Sequence, residues 1–182
     1  MPELRTARLR LRQWHDADLD RLAALDADPE VMRYIADGTT HTREQTAESL
    51  LRIRTGWAER GFGLFAVELL DSGRFAGWVG LNVPRFLPEI LPAVEIGWRL
   101  RRDCWGHGYA TEGARAVLDF GFETVGLERI VSIHQLPNTA SARVMAKLGM
   151  VPERRTTVPG GRPVQVTELT RQAYRELRAA AP

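Results

Sequence analysis

The chain has 182 residues, 44% of them hydrophobic and 26% charged, and its 25 basic side chains against 23 acidic ones leave a formal net charge of +2. That length and balance suit one domain with a sizeable core and exclude a disordered class; no apolar run is long enough to span a bilayer, and the start MPELRTARLR is no signal peptide. A lone cysteine, Cys104, excludes an internal disulfide, the four histidines lack metal-ligand spacing, and the arginines are interleaved with acids instead of forming the stripe that nucleic acid requires, so a cytoplasmic protein without metal or nucleic acid is expected.

From the amino end, residues 6–13 alternate Leu9 and Leu11 with Arg8, Arg10 and Arg12, which predicts an edge strand with one wet face. His15 to Asp18 offers caps for a short helix striped by Leu19, Leu22 and Leu25, and Asp28-Pro29 starts a further helical turn through Tyr34. The loop IADGTTH follows. Thr42 and Gln45 form a capping box for a helix carrying Leu50, Leu51 and Trp57, and Gly61 ends it. Strands over 63–70 and 74–83 are joined by the turn Asp71-Ser72-Gly73, and residues 85–92, with two prolines, form a loop able to arch over a cleft.

Residues 93–124 organise the rest. In AVEIGWRL, Val94, Ile96, Trp98 and Leu100 point one way and Glu95, Gly97 and Arg99 the other, as a strand requires. Gly106 and Gly108 then bracket His107, and an amphipathic helix begins at Tyr109, Ala110 and Thr111. A strand that ends in glycines directly before a helix gathers unpaired N–H groups and the positive end of the helix dipole at one point, which suits an anion such as phosphate. Spacing alone leaves a merely tight structural turn open, since neither a dinucleotide fingerprint nor a Walker loop is present. A strand at 127–135, a helix at 141–148 closed by Gly149, a hairpin of 150–158 and 164–170, and a loosely held helical tail at 171–180 complete the prediction.

Three motifs in order resemble the GNAT superfamily of acyl-coenzyme A-dependent N-acetyltransferases, in the branch similar to the ribosomal-protein alanine and serine N-acetyltransferases. They are the strand Glu95 to Leu100 (EIGWRL), the turn Trp105 to Glu112 (WGHGYATE), and the segment from Asn138 and Ser141 to Lys147-Leu148-Gly149-Met150; Thr6 to Arg12 also fits. Asp103 and His107 depart from the Gln or Arg and the Lys that many members carry. The resemblance implies an α/β (α+β) single-domain fold over 1–182, with a mixed, mostly antiparallel sheet of about seven strands, splayed between its two central strands and flanked by about four helices.

It also implies acetyl-coenzyme A as cofactor and a primary amine, either a protein N-terminus or a small molecule, as acceptor. The pantetheine arm would pair with the main chain of Trp98, Arg99 and Leu100, and the diphosphate would lie on Gly106, His107, Gly108, Tyr109, Ala110 and Thr111. Asn138 would hold a pantetheine carbonyl, Ser141 would face the departing sulfur, and Arg143 would reach an outer phosphate. Tyr34, Asp37 and His41 are candidates for acceptor contact. Glu95 is the candidate base, needed most for a lysine-like amine, which is only roughly a thousandth neutral near pH 7.5, whereas an α-amine is about a quarter neutral. Each has a plainer alternative: a paired surface acid for Glu95, helix capping for Asn138 and Ser141, a solvated loop for Tyr34, Asp37 and His41. Cys104 reads as structural. A non-catalytic acyl-coenzyme A-binding regulatory module is the alternative function, and a homodimer through the last hairpin or a sheet edge is an expectation without a residue to carry it.

Overall fold

The computed structural model describes residues 2–180. Eight strands form one sheet: β1 (Leu4–Arg5), β2 (Leu9–Arg12), β3 (Leu64–Leu69), β4 (Phe75–Asn82), β5 (Glu95–Leu100), β6 (Arg129–Gln135), β7 (Val151–Val158) and β8 (Arg162–Thr170), in the order β1-β2-β3-β4-β5-β6-β8-β7. Every neighbouring pair is antiparallel except β5 and β6. One face carries α1 (Leu19–Asp26), α2 (Pro29–Met32) and α3 (Arg43–Arg60), and the other α4 (Tyr109–Asp119), α5 (Thr139–Lys147) and α6 (Arg171–Ala179). The sheet has one strand more than the sequence suggests, and the six α-helices are those read along the chain, two more than the resemblance implies.

Local signals place the elements. The Thr42 side chain accepts from Gln45 N–H while the Gln45 side chain accepts from Thr42 N–H, and Gly61 closes α3 at φ 72°. Gly77 lets two strands touch, since a Cβ there would stand 2.1 Å from the Arg99 carbonyl oxygen. Alternation in β5 works as predicted: Ile96 and Leu100 are buried with Val117 of α4 and Met145 of α5, while Gly97 turns the other way, toward Trp78.

Three expectations need correction. β2 is not an edge strand, because β1 covers its outer side. Nor is its arginine face uniformly wet: Arg12 is buried and holds Asp18 through both Nη atoms (2.7 and 2.8 Å) and Glu68 through Nε and Nη2. A guanidinium can enter the interior only when its fork meets carboxylates, and here it does. The tail is not loose either. Tyr174 of α6 is buried, stacks on Phe122 at 4.6 Å, and donates its hydroxyl to Asp119 at 2.8 Å.

The docking of α6 gives a test. Tyr174→Ala should cost about 3 kcal/mol through the lost aromatic packing, whereas Tyr174→Phe, which keeps the ring and drops one hydrogen bond, should cost about 1 kcal/mol. Urea unfolding should rank the two in that order; equal midpoints for Tyr174→Ala and the parent would mean that the helix does not stabilise the sheet.

Candidate functional site: a cleft where two strands part

The parallel junction between β5 and β6 is short. Its register contains one pair, Glu95 with Val131, and Val131 N–H donates to the Val94 carbonyl at 2.9 Å. One step on, the Ser132 hydroxyl donates to the Ile96 carbonyl at 2.9 Å, so a side chain takes the acceptor that the next strand amide would otherwise use. Beyond Ile96 the strands separate.

What the gap exposes follows from β-pairing. Arg101 N–H donates to the Ala76 carbonyl, and the register Trp78 with Arg99 and Gly80 with Gly97 continues up the pair, so odd-numbered residues of β5 turn their main chains toward β4. The even-numbered ones face β6. At Trp98 and Leu100 β6 has gone, and the Leu100 carbonyl instead accepts from Trp105 Nε1 at 2.8 Å. Trp98 N–H and C=O and Leu100 N–H are thus presented to the gap. Pairing through Arg99 is a correction to the sequence reading, since its main chain belongs to β4.

The gap opens into a cleft of about 410 Å³, with the end of β5, the Trp105–Gly108 turn and the start of α4 on one side and Asn138, Ser141, Arg143 and Lys147 of α5 on the other. Gly106 and Gly108 adopt φ 78° and 82°, which turns the chain sharply into α4. The first main-chain bond of α4 is from Glu112 N–H to the Gly108 carbonyl. Among the described residues the N–H groups of Tyr109, Ala110 and Thr111 therefore have no main-chain acceptor and point out of the helix end. With Arg143, Lys147 and Arg33 around the rim, that end is arranged for an anion with several charges.

The turn is braced from the far edge of the sheet. Arg8 Nη1 donates to the His107 carbonyl (3.0 Å), and Glu112 accepts from Arg8 N (2.9 Å), Arg8 Nε (2.7 Å) and the Thr6 hydroxyl (2.6 Å). Burial pushes the Glu112 carboxyl up, but the Thr6 and Arg8 bonds prevail and hold it below its ordinary value. The Arg8 guanidinium also lies 4.7 Å over the Tyr109 ring, which stacks with His107. Sequence reasoning missed Arg8 and Glu112 as supports; their pairing spans about a hundred residues, and the only signal was the presence of both inside quoted motifs.

The remaining candidates divide between two faces. Asn138 caps α5, its Oδ1 accepting from Ser141 N at 3.1 Å, so the side-chain amide N–H₂ is left for a ligand, and Ser141 lines the cleft. Tyr34 lines this same cleft. Asp37 lines neither cavity and accepts from Thr39 N and Oγ1, bonds that lower its pKa. His41 lines a second cavity, between α3 and the sheet, and its Nδ1 stands 3.7 Å from Asp26. Glu95 is half-buried at the start of the strand divergence. Loss of hydration pushes its carboxyl up to about 8, against an opposing bond from Ile133 N–H. Cys104 is buried, and burial raises its thiol pKa, which makes it a poor nucleophile.

Comparison with known proteins agrees with this geometry. Residues 8–151 match the model of the acetyltransferase (GNAT) domain. The uncharacterized protein YkkB of Bacillus subtilis (strain 168) is 36% identical over 81% of this chain and 84% of its own. The FsC-acetyl coenzyme A-N(2)-transacetylase of Aspergillus fumigatus is 33% identical over 82% of this chain and 65% of its own. Among solved structures, an acetyltransferase from Agrobacterium tumefaciens str. C58 superposes with a TM-score of 0.79 at 29% identity, over 93% of this chain and 94% of its own. The parted strands, the glycine turn and the matched domain agree, and the chain belongs to the GNAT family as an acyl-coenzyme A-dependent N-acetyltransferase.

Proposed function

We propose that the cleft binds acetyl-coenzyme A and that the chain transfers the acetyl group directly to a primary amine arriving from the α1–α3 face. The observation that carries this is the coincidence of free main-chain groups at Trp98 with unpaired N–H groups at the start of α4, in one cleft. The bound cofactor would supply an activated acetyl thioester. Main-chain N–H groups from Gly106 to Thr111 would hold its diphosphate, Arg143 an outer phosphate, and Trp98 the amides of its arm as an added strand would. Trp98 N–H is also a donor available to oxygen charge developing in the gap. A cytoplasmic setting agrees with a chain whose single cysteine is a free, buried thiol.

Glu95 is suited to take the ammonium proton. It lies on the face away from α4, and a carboxyl poised near 8 is basic enough to deprotonate an amine yet ionises within the working range. Ser141 would donate its hydroxyl to the departing sulfur from the opposite wall. The alternative of a non-catalytic acyl-coenzyme A-binding regulatory module has no comparable support, because such a module has no use for an acid of raised pKa beside the gap.

Thiol release from acetyl-coenzyme A with a panel of amines is the direct test, and calorimetry should find coenzyme A binding that Gly108→Val abolishes. With an acceptor amine of pKa near 10, the wild-type rate should show a separate limb near 8 that Glu95→Gln lacks. Stability provides the complementary sign. The unfolded carboxyl ionises near 4.5 while the folded one keeps its proton to about 8, so the folded state binds more protons between them and stability falls as pH rises through that window. Glu95→Gln should therefore melt higher than wild type at pH 8 and no higher at pH 4; a variant that melts identically at both would contradict the desolvated carboxyl. Ser141→Ala should lower kcat only about tenfold, because a thiolate of pKa near 8.5 leaves without full protonation.

A further inference from the structure

The second cavity, about 600 Å³ between α3 and the sheet, is rich in arginine. Arg52, Arg60, Arg85 and Arg99 line it against two carboxylates, Asp26 and Glu59. Both acids are already engaged. Asp26 is buried and meets Arg99 Nη1, the Thr46 hydroxyl (3.4 Å) and His41 Nδ1 (3.7 Å), and Glu59 stands 3.7 Å from Arg60. Among the described residues no carboxylate lies within ion-pair distance of Arg85. A polycationic ligand would find repulsion here and no free acid.

Arg99 is the wall shared by this cavity and the cofactor cleft. Its guanidinium lies 5.2 Å over the Trp78 ring, Asp26 takes one Nη, and Nε is buried with no protein acceptor. A guanidinium fork suits two parallel acceptors, and this one is half used. Burial lowers the Arg99 pKa, against the pull of Asp26, so an added anion would relieve a real cost. Arg99 also lies on the same face of β5 as Glu95, four residues away, at a Cα separation of about 13 Å. Gly97 between them carries no side chain. Exposed Leu51 and Phe86 supply an apolar rim.

We propose that this cavity is the acceptor site and that its arginines, Arg99 and Arg85 foremost, select a primary amine bearing an anionic group, a carboxylate, on an apolar spacer. The inference rests on the transferase reading above and names its acceptor class. In the step, the ammonium gives one proton to Glu95 and the neutral nitrogen bonds to the acetyl carbon as the carbon–sulfur bond breaks with its electron pair going to sulfur; the second proton, shed by the nitrogen as the amide forms, passes to the thiolate to give free coenzyme A.

The test uses the full chain and three matched series of about four to eight carbons: ω-amino acids, n-alkylamines and α,ω-diamines, which differ only in a terminal carboxylate, methyl or ammonium. Short peptides with a free α-amine and Glu or Gln at the second and third positions extend it. The carboxylate member should have a kcat/KM about tenfold or more above its neutral partner, the worth of a hydrogen bond to a charged group. Arg99→Gln should erase most of that preference through the acceptor KM. Because Arg99→Gln also strands Asp26 and can disturb folding, Arg85→Glu, on the exposed rim, is the second variant: it should reduce or invert the preference while the acetyl-coenzyme A KM stays near wild type. Equal or better use of the neutral or cationic members by the wild type, or a preference that Arg85→Glu leaves intact, overturns the proposal with the transferase reading standing. No thiol release with any amine removes both.

Discussion

The molecule depends on a ladder that stops. An eight-stranded sheet gains by continuing every pairing, and β5 and β6 abandon theirs after one register pair. The cost of leaving strand amides unpaired is limited by two substitutions of partner: the Ser132 hydroxyl serves the Ile96 carbonyl, and Trp105 Nε1 serves the Leu100 carbonyl. On β5, Trp98 and the Leu100 amide remain, at the mouth of a cleft where a ligand amide could replace the missing strand. The opening is thus a deliberate deficit of a few hydrogen bonds, placed where binding makes it good.

The two faces of β5 divide the chemistry. Even-numbered side chains enter the core beneath α4 and α5 and fix the wall of the cofactor cleft; odd-numbered ones give Glu95, an open position at Gly97, and Arg99 on the other face. One strand therefore carries a half-buried acid and a half-buried cation, kept apart by spacing. Asp26 neutralises the cation, whereas the acid accepts from Ile133 N–H and its burial is the larger influence on it. On the proposed acceptor path, such a pair of environments would set two opposite charge preferences for a single incoming molecule.

Much of this was readable from local chemistry. The box of Thr42 and Gln45, the left-handed Gly61, the period-two pattern of β5 and the glycines on either side of His107 each decide a structure within a few residues, and each formed as read. What escaped was long-range. Alternation at Leu9, Arg10, Leu11 and Arg12 assigns faces without saying what covers them, so the burial of Arg12 against Asp18 and Glu68 was invisible. Tyr174 in a polar terminal helix gave no hint of Phe122 and Asp119 waiting beneath it. Asp26 carries no local signal, and only the fold brings Arg99, 73 residues on, against its carboxylate.

The tether from Arg8 to His107 and Glu112 has a consequence for anyone trimming this protein. Removing the residues up to and including Arg8 would spare the cleft's own lining, yet the turn proposed to hold a diphosphate would lose its outer anchor. The shortfall would surface as slack grip on the donor, with chemistry intact once the donor was seated, so a shortened chain could be mistaken for an enzyme damaged at its heart when the injury lies at its margin.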